Sequence, residues 1–286
     1  MLISPDRGRS VFEKLERDFR KLAAEQQAES VHNFRTTTRR LQTLLLELLP
    51  ERDRNQKKLL KQLDEIRKRA GKVRDLDVQL AALRSLKIPQ EPRRKTQLTH
   101  RLIELRAKHE KKLRKLLTRD TMREIRRRLK RAGANVDFSK GRDPLVVARQ
   151  LLAQAPPADE LSDDVLHRYR ILIKRARYAA EFAPKSAEST RLIAQLKRLQ
   201  DAIGNWHDWL TLTNTAAGQL GDVHQSPLVA ALHNVTGGKF RHAAAALEAS
   251  PKATAAESGP RKAPVDRSRK LSPKAAAPAQ PTGTAA

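Results

Sequence analysis

The stretches "VHNFRTTTRRLQTLL" at residues 31–45 and "LHRYRILIKRARYAA" at residues 166–180 decide the fold. At about 100° per residue, Val31, Phe34, Thr38, Leu41, Leu45 and Leu48 share one arc, the width of a helix face that packs on a core. His32, Arg35 and Arg39 stack in a row along one flank of that face, with Arg40 farther round toward solvent. The second stretch repeats the first at an offset of 135, with His167 for His32, Arg170 for Arg35, Lys174 for Arg39 and Arg175 for Arg40. Arg177 joins the same side. Like charges at such spacings cost a few tenths of a kcal/mol per pair in an isolated helix. A bound polyanion reverses that sign.

A second pair of motifs follows in the same order. "LDEIRKRAGKVRDLD" at 63–77 is answered by "LKRLQDAIGNWHDWL" at 196–210, an offset of 133. Gly71 matches Gly204, Arg74 matches His207, and Asp75 matches Asp208. Two motifs recurring in order at nearly one offset indicate an internal duplication. The expected fold is all-α: two pseudo-symmetric repeated helical bundles, with half-repeats about 1–135 and 143–250 inside one domain spanning 1–250. Helical spacing runs throughout, broken at Pro50, Pro89 with Pro92, Gly133–Gly141 with Pro144, Pro156–Pro157, Pro184, Gly221 and Pro227.

Composition agrees with packed helices and an anionic partner. The 286 residues carry 59 Lys+Arg against 32 Asp+Glu, a formal net charge of +27, and only 3% aromatics. Cysteine is absent, which excludes disulfides and thiolate metal sites. Residues 251–286 are rich in Ala, Pro, Lys and Ser and too poor in large apolar groups to offset their ordering entropy, so a disordered tail is expected. That tail accounts for +5, leaving +22 on residues 1–250. No stretch approaches the roughly 18 apolar residues of a membrane span, and the N-terminus lacks the apolar core of a secretion signal. A cytoplasmic location is expected.

Arginines beside a core often pair with carboxylates of neighbouring helices, and Asp75, Asp77 and Asp208 are the candidates here. For a single cluster that structural account is favoured. Duplication tips the balance, because these carboxylates are too few for both rows together with Arg74, Lys197 and Arg198. Asp75 and Asp208 are therefore expected to position the row arginines while the other cations, Lys197 included, face an anion. Residues 93–131 add 17 Lys+Arg against 4 Asp+Glu. Such a run is usually a solvated helix face, but the surplus suggests that Lys111, Lys112, Arg114, Lys115 and Arg126–Arg128 extend the anion track.

"VHNFRTTTRRLQTLL" with "AGKVRDLDV", then "LHRYRILIKRARYAAE" with "LKRLQDAIGNWHDW", closely resemble the CHAD family, the histidine-containing α-helical domain. The resemblance covers nearly all of residues 1–250. It implies a duplicated helical bundle that binds inorganic polyphosphate on a basic surface, with granule association in some members. The implied ligands are His32, Arg35, Arg39, Arg40 and Arg74, with His167, Arg170, Lys174, Arg175, Arg177 and His207 in the second half. The tail lies outside the family pattern, and no triphosphate-processing tunnel sequence is attached.

Three rivals are weighed against that reading. A nucleic-acid binder fits the charge and gives the tail a secondary role as a non-specific DNA-binding arm. Stacking residues are scarce, however, and Phe34, Tyr169, Tyr178, Trp206 and Trp209 sit at core-like spacing. An enzyme is suggested by His167, His207–Asp208 and Asp222, yet Arg170, Lys174 and Arg175 would repel a divalent cation, and Arg74 replaces His207 in the other half. A granule-surface scaffold is better taken as a cellular context for the same binding. The expectation is binding without catalysis, with no metal or cofactor.

Overall fold

A computed structural model describes residues 2–87, 91–156, 161–221, 224 and 226–250; the tail expected to be disordered lies outside the described residues. The described residues form helices and connecting turns: α1 (Pro5–Ala24), α2 (Ala28–Thr43), α3 (Arg54–Ser85), α4 (Pro92–Arg114), α5 (Arg119–Ala134), α6 (Pro144–Leu152), α7 (Asp163–Ala180), α8 (Ala187–Leu220) and α9 (Pro227–Glu248). Four of them begin on a proline, Pro5, Pro92, Pro144 and Pro227, whose missing N–H is no loss in a first turn. Asp53 and Gln56 form a reciprocal capping box at α3, and Ser186 with Ser189 does the same at α8.

Two helix breaks carry no proline or glycine and so escape the sequence reading. Between α1 and α2, the Gln26 amide caps the Leu22 carbonyl at 2.7 Å. Between α4 and α5, the Thr118 hydroxyl accepts from the Thr121 N–H. Side-chain caps can end or begin a helix as firmly as a breaker residue.

The pattern of neighbours repeats through the chain. In the first half α1 packs on α2, α2 on α3 and α3 on α4; in the second α6 packs on α7, α7 on α8 and α8 on α9. Across the halves α2 meets α7 and α3 meets α8, so each motif-bearing helix touches its own counterpart. α5 packs on α1 and α3 within the first half.

The two bundles share their interior. One core joins Leu15, Val31, Phe34, Leu41, Leu63 and Ile66 of the first half to Leu166, Ile173, Leu196 and Trp206 of the second. The other joins Leu76, Leu80, Leu83, Leu98 and Leu102 to Leu212, Ala216, Leu228, Val229 and Leu232. α3 and α8 reach both, since 32 and 34 residues make helices about 50 Å long. The buried face expected of α2 is observed, with Val31, Phe34, Thr38, Leu41, Leu45 and Leu48 all fully buried. Phe34, Tyr178 and Trp206 are buried too, and Tyr169 and Trp209 are partly so.

The end of α2 departs from regular geometry. It widens into a π-helical turn, Leu44–Leu48, closed by the Leu49 N–H on the Leu44 carbonyl at 3.2 Å. A π turn absorbs one extra residue without breaking the helix. Beyond it the equivalence between halves slips by one, so Glu47 answers to Glu181.

Candidate functional site

The two cationic rows converge. Arg35 and Arg39 on α2 and Arg170 and Lys174 on α7 lie close enough to act on one another electrostatically across the helix contact. The floor is α3, where Arg35 donates to the Arg67 carbonyl at 3.2 Å and approaches the Asp75 carboxylate at 4.0 Å. The Arg35 guanidinium runs directly over Gly71: a Cβ there would fall 2.3 Å from Nη1. Gly71 thus serves a close approach inside a helix it would otherwise weaken. Its counterpart Gly204 has open space above it.

Burial and mutual repulsion set the charge states. Arg35 is lowered to about 10, chiefly by burial, with Asp75 opposing and Arg39, Arg67 and Arg170 adding to the fall. Lys174 is pushed down to about 7 by burial, then by Arg170 and Arg39, against Asp208. His32 falls below its ordinary value through burial and the neighbouring Arg74, Arg35 and Lys174. His167 falls through burial, His207 and Arg170, with Asp164 opposing. Its ring lies 5.4 Å from that of His207, centroid to centroid, at the mouth of a pocket lined also by Asp163, Asp164 and Thr211.

The remaining candidates divide sharply. Arg39, Arg74, Arg170 and Lys174 form no ion pair with a described carboxylate. Arg40, by contrast, donates to Glu181 at 2.7 Å, correcting the expectation that it points to solvent. Arg175 is paired to Glu47 at 2.6 Å. Arg177 pairs with Glu181 at 3.0 Å and donates to Gln200 at 2.9 Å. Tyr178 lies beneath both, with the Arg177 and Arg40 guanidinium carbons 5.0 and 5.9 Å from its ring centre. These three arginines have internal acceptors, and the Arg40 and Arg175 pairs join the halves together. Lys197 is exposed and paired with Asp201 at 2.7 Å.

Two other expectations change. Asp77 turns away from the rows to hold Arg106 of α4 at 2.6 Å. In the basic stretch of residues 93–131, Arg114 pairs with Glu110, Arg126 with Glu16, and Arg127 and Arg128 both with Glu124. Lys111, Lys112 and Lys115 stay exposed. Arg67 was missed by the motif comparison. Its side chain pairs with Asp64 while its charge bears on Arg35 and Arg39. Its position one helical turn before Gly71 was the available signal.

A family model described as the CHAD domain matches residues 8–217. Among solved structures, the crystal structure of the CHAD domain from the plant Ricinus communis is similar, with a TM-score of 0.61 at 20% identity. The match covers 87% of this chain and 91% of that one. At that identity the likeness is one of fold. No curated protein matches the chain.

Proposed function

This chain belongs to the CHAD family, and from that premise we propose that it binds inorganic polyphosphate in the cleft where α2 and α7 meet over α3 and α8. The observation that carries the reading is the convergence of two cationic rows, with Arg39, Arg170 and Lys174 making no direct ion pair with a carboxylate among the described residues. His32, Arg35, Arg39, Arg74, Arg170 and Lys174 are the contact set, with His167 and His207 at the rim. Arg40, Arg175 and Arg177 hold the cleft walls in place.

The chemistry favours a phosphate chain. A guanidinium offers two parallel donors to a tetrahedral oxyanion, and a partly desolvated cluster gives those bonds more strength than open solvent would. Polyphosphate has no bases, so the burial of Phe34, Tyr178 and Trp206 costs it nothing, whereas a single-stranded nucleic acid would forgo stacking on them. His32 and His167, whose burial and cationic neighbours favour the neutral form in the free protein, gain charge as the polyanion arrives.

Binding proceeds without turnover. The cations around His167 and His207 disfavour a divalent metal, and Asp208 is engaged electrostatically with Arg170 and Lys174. The cellular setting that fits is cytoplasmic, at polyphosphate-containing granules.

The test is competition between long-chain polyphosphate and duplex DNA at matched charge and salt. Polyphosphate should win by at least tenfold, and no phosphate should be released with Mg²⁺ or Mn²⁺ present. Equal affinity, surviving removal of residues 251–286, would make the cleft a general polyanion site instead.

A further inference from the structure

Lys174 differs in kind from its neighbours. The groups that face it are His32, Arg35 and Arg39 from α2, His167 and Arg170 from α7, and Asp208 from α8. It contributes a primary amine to a group otherwise made of guanidinium and imidazole groups and the two carboxylates Asp201 and Asp208. Its Nζ makes no hydrogen bond or ion pair with a described residue, and it lines a recess with Arg170, Gln200, Asp201, Gly204, Asn205 and Asp208.

We propose that Lys174 Nζ is a site of covalent acylation by acyl phosphates, whose phosphate head the surrounding arginines hold. The inference rests on the phosphate-holding role of the cleft and extends it from a polymer to a small reactive anion. Arg39 and Arg170 take the head, which brings the acyl carbon to the amine. The lone pair on nitrogen attacks the carbonyl carbon, the N–C bond forms and the C–O bond to phosphorus breaks. Inorganic phosphate leaves with that electron pair, and the amine proton passes to solvent. The product is a neutral amide. It removes one charge from a crowded cluster and one contact from the polyanion.

Two features make this selective. An amine flanked by cations spends more time unprotonated than an exposed lysine, and only the unprotonated form is a nucleophile. The reagent is also concentrated where its phosphate is bound. Lys185 and Lys197 are exposed and serve as references, Lys197 being tied to Asp201 by an ion pair.

The experiment treats the full-length protein with acetyl phosphate at pH 7.5 and follows each lysine by peptide mass spectrometry. Lys174 should be acetylated at least tenfold faster than Lys185 and Lys197, and saturating long-chain polyphosphate should slow it to their rate. Equal rates for the three would overturn the proposal. Polyphosphate binding is titrated separately on the untreated sample. Binding with no preferential acetylation rejects the modification site alone. Preferential acetylation without polyphosphate binding keeps the modification site and rejects the polymer as ligand.

Discussion

Arg40 and Glu181 stand 141 positions apart in the chain and are joined at 2.7 Å, and the pseudo-equivalent Arg175 and Glu47 are joined at 2.6 Å. Each helix lends an arginine to the carboxylate that follows the other, so the pairing is reciprocal. Seven positions separate Arg40 from Glu47 but six separate Arg175 from Glu181. The π turn at Leu44–Leu48 takes up the difference, and Glu47 reaches across as a result.

Removing a clasp carboxylate should destabilise the fold unequally. Glu181 serves both Arg40 and Arg177, all largely shielded from solvent, whereas Glu47 serves the more exposed Arg175. Glu181→Gln should cost roughly 1–3 kcal/mol and Glu47→Gln less than about 1 kcal/mol, by urea unfolding. Polyphosphate affinity of either refolded variant should stay within about threefold of wild type.

The cleft behaves oppositely. Replacing Arg35, Arg39, Arg170 and Lys174 together by Ala should weaken polyphosphate binding about 100-fold or more, at about 1 kcal/mol or more for each lost charged donor. Far-ultraviolet circular dichroism should be unchanged, since these cations repel one another in the free protein. Unaltered affinity would dismiss the cleft.

A pair of glycines separates stability from binding. Gly→Ala in a helix interior gains roughly 0.8–1 kcal/mol. At Gly204 the new methyl meets nothing, so Gly204→Ala should raise the melting temperature. At Gly71 the methyl displaces the flexible end of Arg35. Gly71→Ala should therefore keep its stability yet bind polyphosphate several-fold more weakly, and more weakly than Gly204→Ala.

Lys174 gives both stability and binding a pH signature. Its folded value, about 7, lies below the ordinary 10.5, so between those limits the unfolded chain holds the extra proton. Stability of the free protein should rise with pH from about 7 toward 10.5, and this gain should fade below 7, where the folded amine is protonated as well. The lowered values of His32 and His167 add a rise with pH through the range up to about 6.5. Polyphosphate favours the charged forms, so its affinity should fall as pH climbs from 6 to 9, with net proton uptake on binding by calorimetry in paired buffers. Lys174→Arg should flatten the part above pH 7.

Salt and the tail give the last check. By analogy with nucleic acids, each neutralised phosphate contributes a log–log salt slope of about −0.7 to −0.9. The six cleft cations, His32, Arg35, Arg39, Arg74, Arg170 and Lys174, should give a slope near −4 to −5. Deleting residues 251–286 should lower affinity only modestly; a collapse would move the function to the tail.

Helix content, the duplicated motifs, the buried stripe from Val31 to Leu48 and the proline starts were all readable in the linear chain. Each depends on spacing within a few turns, where 3.6-residue periodicity and φ restriction act locally. The partners of the cations were not readable. Arg35, Arg39 and Arg40 look alike as neighbours in one motif, yet two face the cleft and the third finds Glu181 on another helix. That division follows from how α2 crosses α7, and the crossing leaves no local periodic trace. The approach of the two rows to each other is likewise a product of packing: apolar faces buried in a shared core bring the charged flanks together, where burial and long-range electrostatics then set their protonation.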